Sequence, residues 1–308
     1  YSGTVRPSPV GSNPDMGAFE NSLPSAVPTI LSLTSTADDG IYKLGDVIAI
    51  TVTFTEAVIV TGTPQLTLET GSTDAVAVYA SGSGNDTLIF NYTVAAGDTS
   101  SDLDYSSTTA LALNNGTIVD TDSSSAVLTL AAKGAANSIG ASKELVIDGV
   151  VPTVSSVTST TADGAYISGD QIAITISFSE EVTVTGIPQL MLETGLTDAL
   201  VNYTSGSGGT TLTFNYTVAD GDSNSDLDYV STTALTSNNG TIKDAAGNNA
   251  SLTLAEPGTA NFLGANKALV IDGVVPTVLS VSSNSTDGYY SIDDTLALAV
   301  TFSEAVTV

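Results

Sequence analysis

The chain has 308 residues, with 33 Asp and Glu against 6 Lys and Arg, a net charge of −27, and no His, Cys or Trp. That charge excludes a phosphate-binding surface for nucleic acid and disfavours an anionic membrane. The missing His and Cys exclude disulfides and the usual zinc, copper and thiol chemistry. Of the 33 acids, 24 are Asp, mostly beside Gly, Ser or Asn. Short carboxylates in such places either shape turns and keep the chain soluble or ligate a hard cation.

Residues 1–27 are rich in Pro, Ser and Gly and read as an extended linker. No leader or apolar run of membrane-spanning length is present, and the first residue is not Met. The segment therefore reads as internal to a longer polypeptide, with no membrane insertion. From residue 28 the chain repeats itself. GDVIAITVTFTEAV at 45–58 returns as GDQIAITISFSEEV at 169–182, and its ending returns as TFSEAV at 301–306. GDTSSDLDY at 97–105 returns as GDSNSDLDY at 221–229, and Pro28, Pro152 and Pro276 mark the same step. A fixed period of domain size means a tandem array of one fold.

Within a period, apolar residues alternate, as in Ile48, Ile50, Val52 and Phe54. That spacing, with β-branched residues, predicts half-buried strands. They are expected near 29–35, 47–54, 65–69, 75–80, 87–94, 109–113, 117–119, 126–130 and 143–147. Gly- and Asn-rich turns separate them. Many short strands without a helical stripe predict an all-β fold of tandem antiparallel sandwiches in an extended array. The units join at IDGVVPTV (147–154, again at 271–278), a short link stiffened by Pro. The boundaries are a linker at 1–27, repeats at 28–150 and 151–274, and the first strands of a third repeat at 275–308.

Three stretches of the second period carry a family resemblance: DGAYISGDQIAITISFSEEVTVTGIPQLMLETG (163–195), YTSGSGGTTLTFNYTVADGDSNSDLDY (203–229) and GTIKDAAGNNASLTL (240–254). The repeat resembles the bacterial Ig-like, often cadherin-like, repeat of very large extracellular adhesins, over residues 28–308. The resemblance implies an extracellular β-sandwich array in a cell-surface stalk. The first repeat departs at 117–130, where TIVDTDSSSAVLTL lacks the AGN of the second; Asp120 still matches Asp244. SNPDMGAFE (12–20) resembles the closing segment of secreted parallel β-helix domains.

Strand parity places acids at the poles of each sandwich, if successive strands end at alternate poles. It gathers Asp38, Asp39, Asp46, Glu69, Asp74, Asp98, Asp102, Asp104 and Asp148 at one pole. The next repeat then presents Glu180 and Glu181 across the link, and Asp244 by the same logic. Several carboxylates meeting there would repel, and a divalent cation taking 6–8 oxygens would neutralise them. Ca2+ suits flexible carboxylate loops better than Mg2+. The candidate ligands are Asp46 and Asp170 in the Gly-Asp turn, and Asp98, Asp102 and Asp104 with their counterparts Asp222, Asp226 and Asp228. The others are Asp148 and Asp272 in the links, Glu180 with its counterpart Glu304, and Asp244. The GDxxxDLDY acids fit a metal loop or a structured turn equally well. Asp46, Asp170 and Glu180 are equally readable as a turn former or a solvated strand end.

Paired carboxylates recur in each unit without a cleft-forming insertion, and no His is present for a triad, so no enzyme is expected. Tyr79, Tyr92, Tyr105 and their partners lie at strand positions and read as packing residues. Lys143 and Lys267 recur before the last strand with no identifiable cross-link partner. Two functional readings remain: a calcium-stiffened stalk or fibre segment contacting its neighbouring repeats, and a filament subunit completed by strand exchange between chains.

Overall fold

A computed structural model describes residues 27–307. The linker and the β-helix-like string expected at 1–27 lie outside the described residues apart from Val27. The chain divides into two compact units, one running to Gly149 and the other starting at Val150.

The first unit contains β1 (Ile30–Ser35), β2 (Gly40–Lys43), β3 (Val47–Thr61), β4 (Gln65–Leu68), β5 (Ala75–Ser81) and β6 (Asn85–Thr93). It continues through β7 (Thr99–Ser100), β8 (Leu111–Ala112), β9 (Thr117–Val119), the one-turn helix α1 (Ile139–Ser142) and β10 (Leu145–Asp148). The large sheet has the order β1-β3-β6-β5-β4-β8, with β9 added to β3; the small sheet is β2-β10-β7. The alternation in β3 buries Ile48, Ile50, Val52 and Phe54 in one core with Leu66, Leu88, Phe90 and Ile147. Tyr79 meets Phe90 edge-to-face at 5.9 Å, a geometry that adds about 0.5–1.5 kcal/mol beyond the area buried.

The second unit repeats this as β11 (Val154–Ser159), β12 (Gly164–Ile167), β13 (Gln171–Thr185), β14 (Gln189–Glu193), β15 (Ala199–Ser205) and β16 (Gly209–Thr217). Then follow β17 (Ser223–Asn224), β18 (Asp228–Tyr229), β19 (Leu235–Thr236), β20 (Thr241–Lys243), α2 (Leu263–Asn266) and β21 (Leu269–Asp272). A final hairpin, β22 (Val278–Ser283) with β23 (Leu298–Phe302), belongs to the same unit. Both repeats are β-sandwiches, as the alternation predicts.

Several features depart from the strand list read from sequence. The stretch after β1 forms β2, which pairs parallel to β10 (Leu145↔Gly40 to Asp148↔Lys43), so the sandwich is not wholly antiparallel. β3 runs on to Thr61 through a register shift between Thr53 and Val58, and its end pairs with β9. Residues 126–130 form no strand; Val127 N–H donates to Pro28 O and Ala126 N–H to Ile118 O. The expected strand at 109–113 shrinks to Leu111–Ala112, and α1 precedes β10, capped by the Ser138 hydroxyl accepting from Ala141 N–H.

Phe90 is fully buried, so Phe90→Ala should cost about 3–5 kcal/mol in the first repeat. Calorimetry should show one transition moving down while that of the second repeat stays.

Candidate metal centre

The acids of the recurring turns are mostly committed to the backbone. Asp46 Oδ2 accepts from Lys43 N–H at 3.0 Å, and Oδ1 accepts from the Lys43 ammonium at 2.9 Å. That ammonium hydrogen bond holds the Asp46 carboxyl below its usual range. Asp170 Oδ2 accepts from Ile167 N–H in the same way. Asp98 Oδ2 takes Tyr92 O–H at 2.7 Å and Ala95 N–H at 2.9 Å; Asp222 takes Tyr216 O–H and Ala219 N–H.

In the DLDY segment Leu103 and Tyr105 are buried, and Tyr105 O–H donates to Ala131 O. Asp104 accepts from Tyr105 N–H and Gly134 N–H, and Asp228 from Tyr229 N–H and Gly258 N–H. Asp102 and Asp226 stay exposed. The geometry of GDxxxDLDY is thus that of a structured turn whose carboxylates bind N–H and O–H donors.

Parity does not sort the acids as simple alternation expects. Asp39 Oδ1 accepts from Glu144 N–H, and Leu103 N–H donates to Leu145 O, so Asp39, Asp102 and Asp104 lie by the start of β10. Asp98 and Asp148 lie at its finish, where Gly149 N–H donates to Asp98 O. The reason is β2: the first strand breaks in two, and its second part runs beside β10 instead of ending at the far pole.

The link acids are held by close backbone packing. A Cβ on Gly149 would meet Ala95 O at 2.1 Å, and one on Gly273 would meet Ala219 O at 2.2 Å. Only glycine lets the link pass there, which fixes Asp148 and Asp272 at the ends of β10 and β21. In the second unit Asp272 lines a groove of about 320 Å³ with Ile167, Ser168, Val275 and Glu304. Glu304 Oε1 is buried there without a hydrogen-bond partner.

Glu180 and Asp244 approach each other within the second unit. β13 pairs with β20 through Thr183↔Lys243, and the two side chains offer carboxylate oxygens within 4.8 Å of one another. Asp244 is buried at 6% exposure. Its Oδ1 accepts from Gly247 N–H and Asn248 N–H, and its Oδ2 accepts from Asn248 Nδ2 at 2.8 Å, which also donates to Val150 O. Asp120, the matching residue of the first repeat, is buried at 2% exposure. Its Oδ1 accepts from Asp122 N–H and Ser124 N–H, but its Oδ2 is buried with no partner. Ser124 stands where Asn248 stands and supplies no carboxamide. Asp120 was not singled out as a ligand from sequence; the missing AGN was the signal that could have marked it.

No family model and no curated protein matches the chain. Among solved structures, an I-band fragment I67–I69 from titin is similar with a TM-score of 0.30 and 11% identity, over 82% of this chain and 67% of that one.

Two outcomes follow from this geometry. Ser124→Asn should donate to Asp120 Oδ2 and stabilise the first repeat without added cation by about 1 kcal/mol, while Asn248→Ser should destabilise the second by about 1–3 kcal/mol. Urea titrations in chelator measure both. Burial, and then the hydrogen bond it donates to the Asp222 carboxylate, push the Tyr216 phenol above its ordinary value of 10.0, and burial lifts Tyr229 to about 12. A raised phenol pKa gives stability that is present below pH 10 and lost as pH rises through the folded value. Stability should therefore fall above pH 10, less steeply in Tyr216→Phe, as read by circular dichroism.

Proposed function

We propose that this chain is a structural segment of an extracellular stalk or fibre of a bacterial surface adhesin, stiffened by Ca2+ where one repeat follows another. Its role is mechanical and involves no catalysis. The observation that carries the reading is the buried, unpartnered carboxylate oxygens, Asp120 Oδ2 in the first repeat and Glu304 Oε1 in the second unit. A buried acceptor without a donor is costly, and a cation satisfies it. Glu304 and Asp272 line one groove, and the sequence places Glu180 and Asp148 at the same two positions one period earlier. Carboxylates on loops and strand ends give Ca2+ its 6–8 oxygens without demanding an octahedron. The net charge of −27 supplies the attraction.

A second reading is favoured by one feature. Val281, Leu298 and Val300 of the final hairpin are 64%, 70% and 49% exposed, whereas their counterparts Val157, Ile174 and Ile176 are fully buried. A strand pairing with β23 as β16 pairs with β13 would cover them; supplied by another chain, it would make the chain a filament subunit.

Melting in Ca2+ and in chelator tests the first reading. Calcium at a hundredfold excess over its Kd should stabilise by about 2.7 kcal/mol per site, Mg2+ should do less, and Asp272→Asn with Glu304→Gln should remove part of the gain. Equal melting temperatures in calcium and chelator would sink it. X-ray scattering in the same series separates stalk from filament: a stalk segment stays monomeric, and a filament elongates unless 276–308 are deleted.

A further inference from the structure

Eight steps in this chain place Asp or Asn directly before Gly, with Asn at 115 and 239 and Asp at 39, 148, 163, 220, 272 and 287. Such a step carries its own reaction. The glycine main-chain nitrogen, having given up its proton, attacks Cγ of the preceding side chain and closes a succinimide ring. Asn releases ammonia, and Asp in its acid form releases water. Water then opens the ring at one carbonyl or the other. The products are Asp and isoaspartate, in which the main chain runs through Cβ. Glycine favours the reaction because no Cβ crowds its nitrogen. Asn–Gly is the faster step near neutral pH, where Asp is an unreactive carboxylate.

At seven of the eight steps the fold ties up that nitrogen. Gly40 N–H donates to Glu144 O and Gly164 N–H to Ala268 O, both at 3.0 Å. Gly149 donates to Asp98 O and Gly273 to Asp222 O at 2.7 Å, and Gly221 donates to Gly273 O at 2.9 Å. At the Asn–Gly turns, Gly116 donates to Leu113 O and Gly240 to Ser237 O at 2.8 Å. These two turns are also packed: a Cβ on Gly116 would meet Thr61 O at 2.2 Å, and one on Gly240 would meet Thr185 O at 2.1 Å. At each of the seven, the hydrogen bond must break before the nitrogen can turn toward Cγ. The reaction then proceeds only through a local opening, and its rate scales with the open population.

Asp287–Gly288 is the exception. It stands one and two periods after Asp163–Gly164 and Asp39–Gly40. There the carboxylates are committed as well. Asp39 Oδ1 accepts from Glu144 N–H at 3.1 Å, and Asp163 Oδ1 accepts from Ala268 N–H at 3.2 Å and from the Lys267 ammonium at 3.1 Å. Among the described residues, neither Gly288 N–H nor the Asp287 carboxylate has a hydrogen-bond partner, and both residues are exposed. Beyond its chain neighbours, no atom lies within 4 Å of where a Cβ on Gly288 would stand.

We propose that Asp287–Gly288 is the site at which this chain converts spontaneously to isoaspartate, and that the hydrogen bonds on the other seven glycines keep their steps unreacted. The inference goes beyond the stalk and filament readings and depends on neither. An isoaspartate at 39 or 163 would lengthen the main chain at the mouth of the β2–β10 or β12–β21 ladder, so the protection preserves the register of the fold as the protein ages.

Mass spectrometry of the full chain tests it. The protein is aged in neutral buffer, with a parallel sample in guanidinium chloride, and digested at intervals. Electron-transfer fragmentation tells isoaspartate from Asp. In buffer, isoaspartate should build up at 287 several-fold faster than at any of the other seven positions. In denaturant, Asn115 and Asn239 should overtake it. Asp287→Glu, whose longer side chain does not close this ring, should remove the signal in buffer. An Asp287 that stays intact would overturn the proposal, and so would Asn115 and Asn239 ageing as fast folded as unfolded. Hydrogen exchange checks the cause. The Gly288 amide should exchange at the unprotected rate and the other seven many-fold more slowly; equal exchange at all eight would sink the protection argument.

Discussion

The 15-residue strand β13 pairs with β11 and β16 over its first half and, beyond a register shift between Ser177 and Val182, with β20 over its last three residues. Its inward side chains Ile172, Ile174, Ile176 and Phe178 form the middle of the core. The shift is what carries the strand past the sandwich edge with Glu180 at the bend. β3 does the same for Glu56 in the first repeat. A bulge adds residues to one strand and turns it sharply. Here it lets one strand both fill the core and deliver a carboxylate beside Asp244, the residue that follows β20.

Most other features serve this frame. The Asx-type turns at Asp46 and Asp170 return the chain into β3 and β13. The DLDY segments insert a leucine and a tyrosine into each core, and the tyrosine hydroxyl closes onto the backbone at Ala131 or Ala255. Their carboxylates satisfy loop donors that burial would otherwise leave unpaired. Charge in this chain is thus divided between turn acids spent on the backbone and a few acids at the strand ends and links. Among the described residues, Asp120 and Glu304 of the latter group have buried oxygens without a donor.

The distinction between the repeats lies in one side chain. Asn248 supplies a second donor to Asp244 and anchors Val150. Ser124 supplies only its backbone N–H to Asp120. Repeats with the same fold therefore differ in how completely the buried carboxylate is satisfied by protein, and so in how much a cation would add.

The sequence by itself determined the period, the strand positions of the core and the location of the links, because these depend on local alternation and on Gly, Pro and Asn at turns. It also narrowed the candidate ligands to recurring acids. It left the acids of GDxxxDLDY undecided, since a carboxylate that caps a turn and one that binds a cation look alike in one dimension. Only tertiary structure shows which carboxylate oxygens meet a donor, as at Asp98, and which do not, as at Asp120 outside that motif. The parallel β12–β21 pairing and the bulge in β13 were likewise invisible. Both arise from contacts between segments about 100 and 30 residues apart, whose register is set by packing rather than by any local propensity.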